Sequence, residues 1–346
     1  MRLPFLACLI ACSLSVAAAQ RESKPAAKQA IGASFAAMLQ GDSQAALRAL
    51  DAVPADQFGD YAAQVRACMQ GRFDRDDPPW IDSGIDDPFV RDVLWTYQAY
   101  WWRALADPAQ RDAQADALLQ RLRALAGADA DGARGFEALE PILSKQLLAH
   151  GYHALQGETA PLRELMLWRR EDVREYDLAL PEGPQHVTVH LLDDFAAWGW
   201  SHYARCGLGS TGGWTTDDAI YAVRPGYPDL DGEKYRVSLL GHEGQHFADK
   251  QRWKLEDWEL EYRAKLTELA LADRTSHELL EKFGLAHGAD KSSPHAYANE
   301  RVLAAIRRQL GGGDDLDLTR VPLHDLQQAA REVLLADTHA RMAGAK

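Results

Sequence analysis

Within Ser238-Leu239-Leu240-Gly241-His242-Glu243-Gly244-Gln245-His246-Phe247-Ala248-Asp249, two histidines stand four apart, with a glutamate directly after the first. On a helix, residues at i and i+4 lie one turn apart on the same face, so His242 and His246 can offer two imidazole nitrogens to a single ion. Such a nitrogen pair suits a tetrahedral zinc ion. Glu243 projects beside the first ligand without binding the metal itself, the placement needed by a general base acting on metal-activated water. The expected chemistry is hydrolysis of a polarised carbonyl, with Zn2+ as cofactor and Glu243 as the catalytic residue.

A catalytic zinc needs a third protein ligand and an open fourth position. The metzincin pattern would supply a glycine three residues past His246 and a third histidine three residues further on, but those places hold Asp249 and Arg252. That leaves carboxylates downstream: Glu256, Glu259, Glu261 and Glu268. At this point the chain resembles the gluzincin branch of zinc metallopeptidases, in which a glutamate on a following helix completes the site. In compact members a small residue follows that glutamate by three positions, and Glu261-Tyr262-Arg263-Ala264 fits. The resemblance runs from His242 to Leu266, and only its first five residues form a specific motif. It implies a metal site of His242, His246 and Glu261, with Glu268 and Glu300 as runners-up; Asn299-Glu300-Arg301 carries only the first two letters of the longer N-E-x-x-S-D form.

The same resemblance implies an upstream edge strand that holds a substrate backbone by strand addition, and Ala219 to Val223 is the segment expected to do so. Asp249, one turn past His246, is expected either to steady a ligand imidazole or to sit exposed near the helix end. His190, His202 and Tyr221 flank the motif in sequence and are candidates for steadying an oxyanion, with none preferred.

The motif must sit on a helix, and the periodicity supplies one. Val237, Leu240, Gly244, Phe247 and Gln251 share one stripe, while Leu239, His242, Glu243, His246 and Asp249 share another. Glycine inside a helix costs about 1 kcal/mol relative to alanine, so Gly244 implies that another element passes close by. Upstream, Val187, Val189 and Leu191 alternate with Thr188 and His190 as a half-buried strand does. A helix from Asp194 to Tyr203, a glycine-rich run from Gly207 to Gly213 and the strand Ala219 to Val223 follow. Helices resume near Glu233 and continue to the end, interrupted at Gly284 to Pro294 and at Gly311-Gly312-Gly313.

From Ala26 to about Leu165 the pattern is helical almost throughout, broken at Gly41-Asp42, Asp77-Pro78-Pro79, Asp107-Pro108 and Gly127 to Gly132 into roughly six helices. Ala33 to Ala52 has the flavour of a tetratricopeptide unit, but no fixed repeat follows it. Trp95, Trp101 and Trp102 read as core. The expected fold is α+β and mostly helical: an irregular helical domain over 20–165, then a zincin-like domain over 166–346 with a small sheet and an active-site helix.

Residues 1–19 join Arg2, an apolar run from Leu3 to Val16, and Ala17-Ala18-Ala19, which reads as a secretory signal cleaved after Ala19. A lipid anchor at Cys12 is the lesser alternative, and no later segment is apolar enough to span a membrane. Export leaves Cys68 and Cys206, which form either one disulfide or two separate buried thiols. The formal net charge of -13 disfavours nucleic acid or anionic lipid as a partner, leaving a peptide or protein substrate as the expected one. The glycine-rich run lacks the Lys-Ser/Thr of a P-loop and the G-x-G-x-x-G of a dinucleotide site, and there is no G-x-S-x-G elbow. The alternative from another class is an exported helical binding protein whose zincin-like half is not catalytic. Substrate preference and oligomeric state leave no mark in the sequence.

Overall fold

The computed structural model describes residues 22–291 and 293–344. The expected signal segment and Cys12 lie outside the described residues.

The helical region consists of α1 (Pro25–Leu39), α2 (Ser43–Asp51), α3 (Asp60–Phe73), α4 (Pro88–Ala106), α5 (Arg111–Ala126) and α6 (Phe136–Ala149). Helices start where the chain supplies acceptors for otherwise unpaired amides. Asp42 Oδ1 accepts from Ala45 N at 2.7 Å, and Asp87 Oδ1 accepts from Val90 N at 3.0 Å with Pro88 beginning α4. Met38, Leu50, Met69, Phe73, Tyr97 and Trp101 fill the core between them. Trp101 and Trp102 are buried, as expected, and their indole nitrogens donate to Arg163 O and Arg72 O, both at 2.8 Å. Trp95 is only half-buried and packs edge-to-face on Trp80.

Helix ends at Ala149 rather than near Leu165. There follow β1 (His153–Thr159), β2 (Leu162–Leu180) and β3 (Gly183–Trp198). Leu162 to Trp168 is buried nearly without interruption, so it lacks the alternation that marks a half-exposed strand. The expected helix from Asp194 to Tyr203 is strand as far as Trp198, and only α7 (Trp200–Ala204) is helical. Asp194 adopts φ 58°, the register shifts at Leu167/Trp168, and β3 crosses this bulge to pair Phe195 with Trp168 and Trp198 with Met166. The core under α4 therefore includes Leu165, Leu167, Ala197 and Trp200 of the sheet region.

Two short strands, β4 (Gly213–Thr215) and β5 (Ile220–Val223), complete one sheet in the order β1-β2-β3-β5-β4. All neighbours are antiparallel except β3 and β5. The segment expected as the edge strand is thus interior, with β3 on one side and β4 on the other; β4 holds the edge. Cys68 on α3 and Cys206 after α7 form a disulfide, with Cα atoms 6.2 Å apart.

A short turn, α8 (Glu233–Tyr235), runs through a π-helix over Arg236–Gly241 into α9 (His242–Arg252). The remaining helices are α10 (Asp257–Leu271), α11 (Ser276–Leu285), α12 (Pro294–Gln309) and α13 (Leu323–Gly344). Leu239, Leu240, Phe247 and Ala248 pack on Val187, Val189, Ile220 and Ala222, seating α9 against the sheet. Gly244 allows this approach: a Cβ there would lie 2.5 Å from Leu178 Cδ1 of β2. On its other side α9 meets α10, which is anchored through Leu266 and Leu269 on Val302, Ile306 and Leu334. The architecture is α+β and mostly helical, as the residue pattern implied.

Candidate metal centre

His242 and His246 project from consecutive turns of α9 toward α10. There His246 Nε2 lies 3.3 Å from Glu261 Oε1, and His242 Nε2 lies 3.7 Å from Glu261 Oε2. Ligand-capable atoms of these three residues fall within 4.8 Å of one another, and they form the one such group among the described residues. Their side chains are 11 to 12% exposed.

Glu268 fixes the state of the first imidazole. Its Oε1 lies 2.5 Å from His242 Nδ1, so that nitrogen carries a proton and Nε2 is the ring nitrogen left facing the shared centre. Burial opposes a charge on His242, yet Glu268 and Glu261 together push its pKa up to about 10. Burial likewise opposes ionisation of Glu261, but contacts from His242, His246 and His295 hold its carboxyl far below the usual range. The donor set is one that a divalent cation can use: two imidazole nitrogens and one carboxylate oxygen, close enough together to share an ion.

Glu243, next to His242, lies on the sheet side. Its Oε2 accepts from Thr215 Oγ1 of β4 at 2.6 Å, and Thr215 Oγ1 also reaches Glu243 O at 3.1 Å. Lys250 Nζ donates to Thr215 O at 2.7 Å, tying the far end of α9 to the same strand.

No family model, curated protein or solved structure matches this chain. Function is therefore read from the chemistry of the site itself.

The carboxylates weighed on sequence separate clearly. Glu261 joins the two histidines. Glu268 reaches the outer nitrogen of His242 instead of the shared centre. Glu300 pairs with His287 at 2.5 Å, away from the triad. Glu256 and Glu259 form the capping box that begins α10, and Glu259 also pairs with Arg341 at 3.0 Å.

Asp249 neither steadies a ligand nor lies exposed. It is fully buried, accepting from Arg263 Nε at 2.9 Å and from Gln245 Nε2 at 3.0 Å. Arg263 is also fully buried and donates to Glu182 at 2.7 Å and Asp337 at 2.6 Å, so one guanidinium joins the β2–β3 turn, α9, α10 and α13. Of the oxyanion candidates, His190 and Tyr221 stack on each other 4.7 Å apart on the face of the sheet opposite α9, where Glu171 holds His190 Nδ1 at 2.7 Å. His202 turns its Nδ1 to Gly209 O at 3.1 Å and stacks on Trp198.

Two further neighbours of Glu261, Lys265 and His295, were not singled out on sequence. Lys265 Nζ is 3.3 Å from Glu261 Oε2, and His295 Nδ1 is 2.7 Å from the same oxygen. The Glu261-Lys265 pair follows from helical spacing. His295 comes from the first turn of α12, and no spacing rule links it to the motif.

Proposed function

We propose that the chain is an exported zinc-dependent hydrolase of gluzincin type, which cleaves amide bonds in peptides. The observation that carries this reading is the meeting of His242 Nε2, His246 Nε2 and the Glu261 carboxylate, with a further carboxylate, Glu243, next in sequence to His242 and held by Thr215. Zinc bound by the three residues supplies a Lewis acid that polarises a carbonyl and lowers the pKa of water. Glu243 takes a proton from the attacking water and passes it to the departing amine nitrogen, a general acid–base role. Thr215 orients Glu243 for that transfer, and Glu268 keeps His242 in the tautomer that leaves Nε2 available. The Cys68–Cys206 disulfide agrees with an oxidising compartment, periplasmic or extracellular.

The test is metal analysis of the purified protein followed by digestion of a mixed peptide library with wild type and Glu243→Gln. Both proteins should retain zinc, and the variant should lose roughly 10²-fold to 10⁴-fold of the cleavage rate. Equal behaviour of the two would favour a non-catalytic binding protein instead.

A further inference from the structure

We propose a second binding site, in the cavity where α3, α4, α7 and the end of β3 meet, that takes a small organic monocarboxylate with an aromatic or aliphatic body. It shares no residue with the metal centre and does not depend on the hydrolytic reading.

The cavity measures about 410 Å³, a size ordinary for small-molecule sites. Leu94 and Trp101 of α4 and Phe195 and Trp198 of β3 give it apolar walls, and Arg72, Ser83 and Tyr203 give it polar ones. Those three polar residues carry the inference. Arg72 Nε, Ser83 Oγ and Tyr203 Oη are each shielded from solvent, and none has a hydrogen-bond partner within the protein. Tyr203 as a whole is only 5% exposed. A buried donor left unpaired is costly, so three of them bordering one cavity need a common acceptor. Each can donate a hydrogen bond, and a carboxylate is the small group that accepts several at once.

Charge points the same way. The Arg72 guanidinium lies over the Tyr203 ring, 4.9 Å from its centroid, and Nη1 donates to Tyr203 O. Burial lowers the pKa of Arg72, and no carboxylate opposes that shift. Arg263 is the contrast within the same chain: Asp249, Glu182 and Asp337 surround it and raise its pKa in spite of burial. In a chain of formal net charge -13, a guanidinium without a carboxylate beside a cavity suits an incoming anion. The one acidic residue of the lining, Asp82, is exposed and accepts from Gly84 N at 2.9 Å. Its charge opposes a second negative charge on the ligand, which favours a monocarboxylate over phosphate.

The surrounding polar groups are already engaged. Gln98, almost fully buried, donates to Ile81 O at 3.1 Å and accepts from Ile81 N at 3.0 Å, which pins the stretch carrying Ser83 to α4. Trp101 Nε1 is taken by Arg163 O and His202 Nδ1 faces Gly209 O at 3.1 Å. The aromatic walls are therefore left to contact the ligand body through their rings.

The experiment titrates sodium phenylacetate into the purified full chain, read by calorimetry and by the tryptophan fluorescence of the walls. Phenylacetate should bind saturably, at least tenfold tighter than acetate, inorganic phosphate or phenethylamine, and should raise the urea midpoint. Tyr203→Phe removes one hydroxyl and keeps the ring. It should weaken phenylacetate binding by roughly tenfold, yet leave the free protein as stable as wild type or more so, since an unpaired buried group has gone. Ser83→Ala should weaken binding in the same way, and Arg72→Met should abolish it; if Arg72→Met does not fold, the two hydroxyl variants decide. Binding should survive a zinc chelator, which separates this cavity from the metal centre. The proposal is overturned by absence of saturable binding, by phosphate or phenethylamine binding as tightly as phenylacetate, by loss of binding with the chelator, or by unchanged affinity in both Tyr203→Phe and Ser83→Ala.

Discussion

Glu261 and Glu268 stand two helical turns apart on α10 and act differently because of the nitrogen each one meets. Glu261 faces Nε2 of both histidines, and Glu268 faces Nδ1 of His242 alone. Removing the partner of a ligand imidazole typically weakens metal binding by 10-fold to 100-fold, which is the loss expected for Glu268→Ala in competition with a chromophoric chelator. Glu261→Ala should lose more than this, and Glu300→Ala should lose nothing, since Glu300 pairs with His287 instead. An equal loss for Glu268 and Glu261 would make both of them ligands. Of these contacts, the meeting of Glu261 with the two histidines was legible in sequence, through the resemblance that singled it out among the glutamates of the following helix. The role of Glu268 was not, because spacing reports which face a residue occupies and not which ring nitrogen it will meet. His295 was out of reach for a different reason, since its approach to Glu261 depends on how α12 crosses α10.

At the scale of elements, α9 is seated by an absent side chain. An alanine at 244 would gain about 1 kcal/mol of helix propensity, but its Cβ would fall 2.5 Å from Leu178 Cδ1, inside a packed layer. Overpacking of this kind costs about 1 to 3 kcal/mol, so Gly244→Ala should lower stability in urea unfolding. In a Leu178→Ala background the same change should become neutral or stabilising; a penalty unchanged there would exclude the contact as its cause. The glycine announced this approach in sequence, yet β2, the strand that makes it, was not read there, because it begins as a continuous apolar run, and of β3 only the stretch from Val187 to Leu191 was. Those strands also carry Glu164, whose Oε1 accepts from Leu165 N at 3.0 Å and from Trp200 N at 2.8 Å at the start of α7. Burial pushes its pKa up to about 7. The folded chain then holds a proton that the unfolded chain has already released, so stability falls as pH rises from the ordinary glutamate value toward 7, by roughly 3 kcal/mol in all. Glu164→Gln keeps the accepting oxygen without the charge. It should therefore be more stable than wild type at pH 8, with the difference gone by about pH 4; a difference independent of pH would place the effect elsewhere.

The whole molecule is tied together by two cross-links of different kinds, one covalent and one electrostatic. The Cys68–Cys206 disulfide spans a sequence separation of 138 and joins the helical region to the turn before β4. Cys68 and Cys206, downstream of the expected signal segment, allowed this pairing without requiring it, since sequence does not bring α3 and α7 together; the shared core around Trp101 and Trp200 does. The second tie, centred on Arg263, lies wholly in the C-terminal half and supports α9 through Asp249. A loop of this length loses about 4 to 5 kcal/mol of stabilisation when opened, on the chain-entropy account. Zinc held at the proposed site would contribute separately, by an amount that grows with the logarithm of its free concentration. The bridge and the triad share no residue or direct partner, so the two losses should add. Unfolding in urea of wild type and Cys68→Ser/Cys206→Ser, each with and without a zinc chelator, measures both terms. Additivity within about 0.5 kcal/mol is expected, with zinc content unchanged by the cysteine substitutions. If opening the bridge also released the metal, the helical region would be holding β4 and Thr215 in place beside Glu243, and the site would depend on the entire chain instead of its C-terminal half.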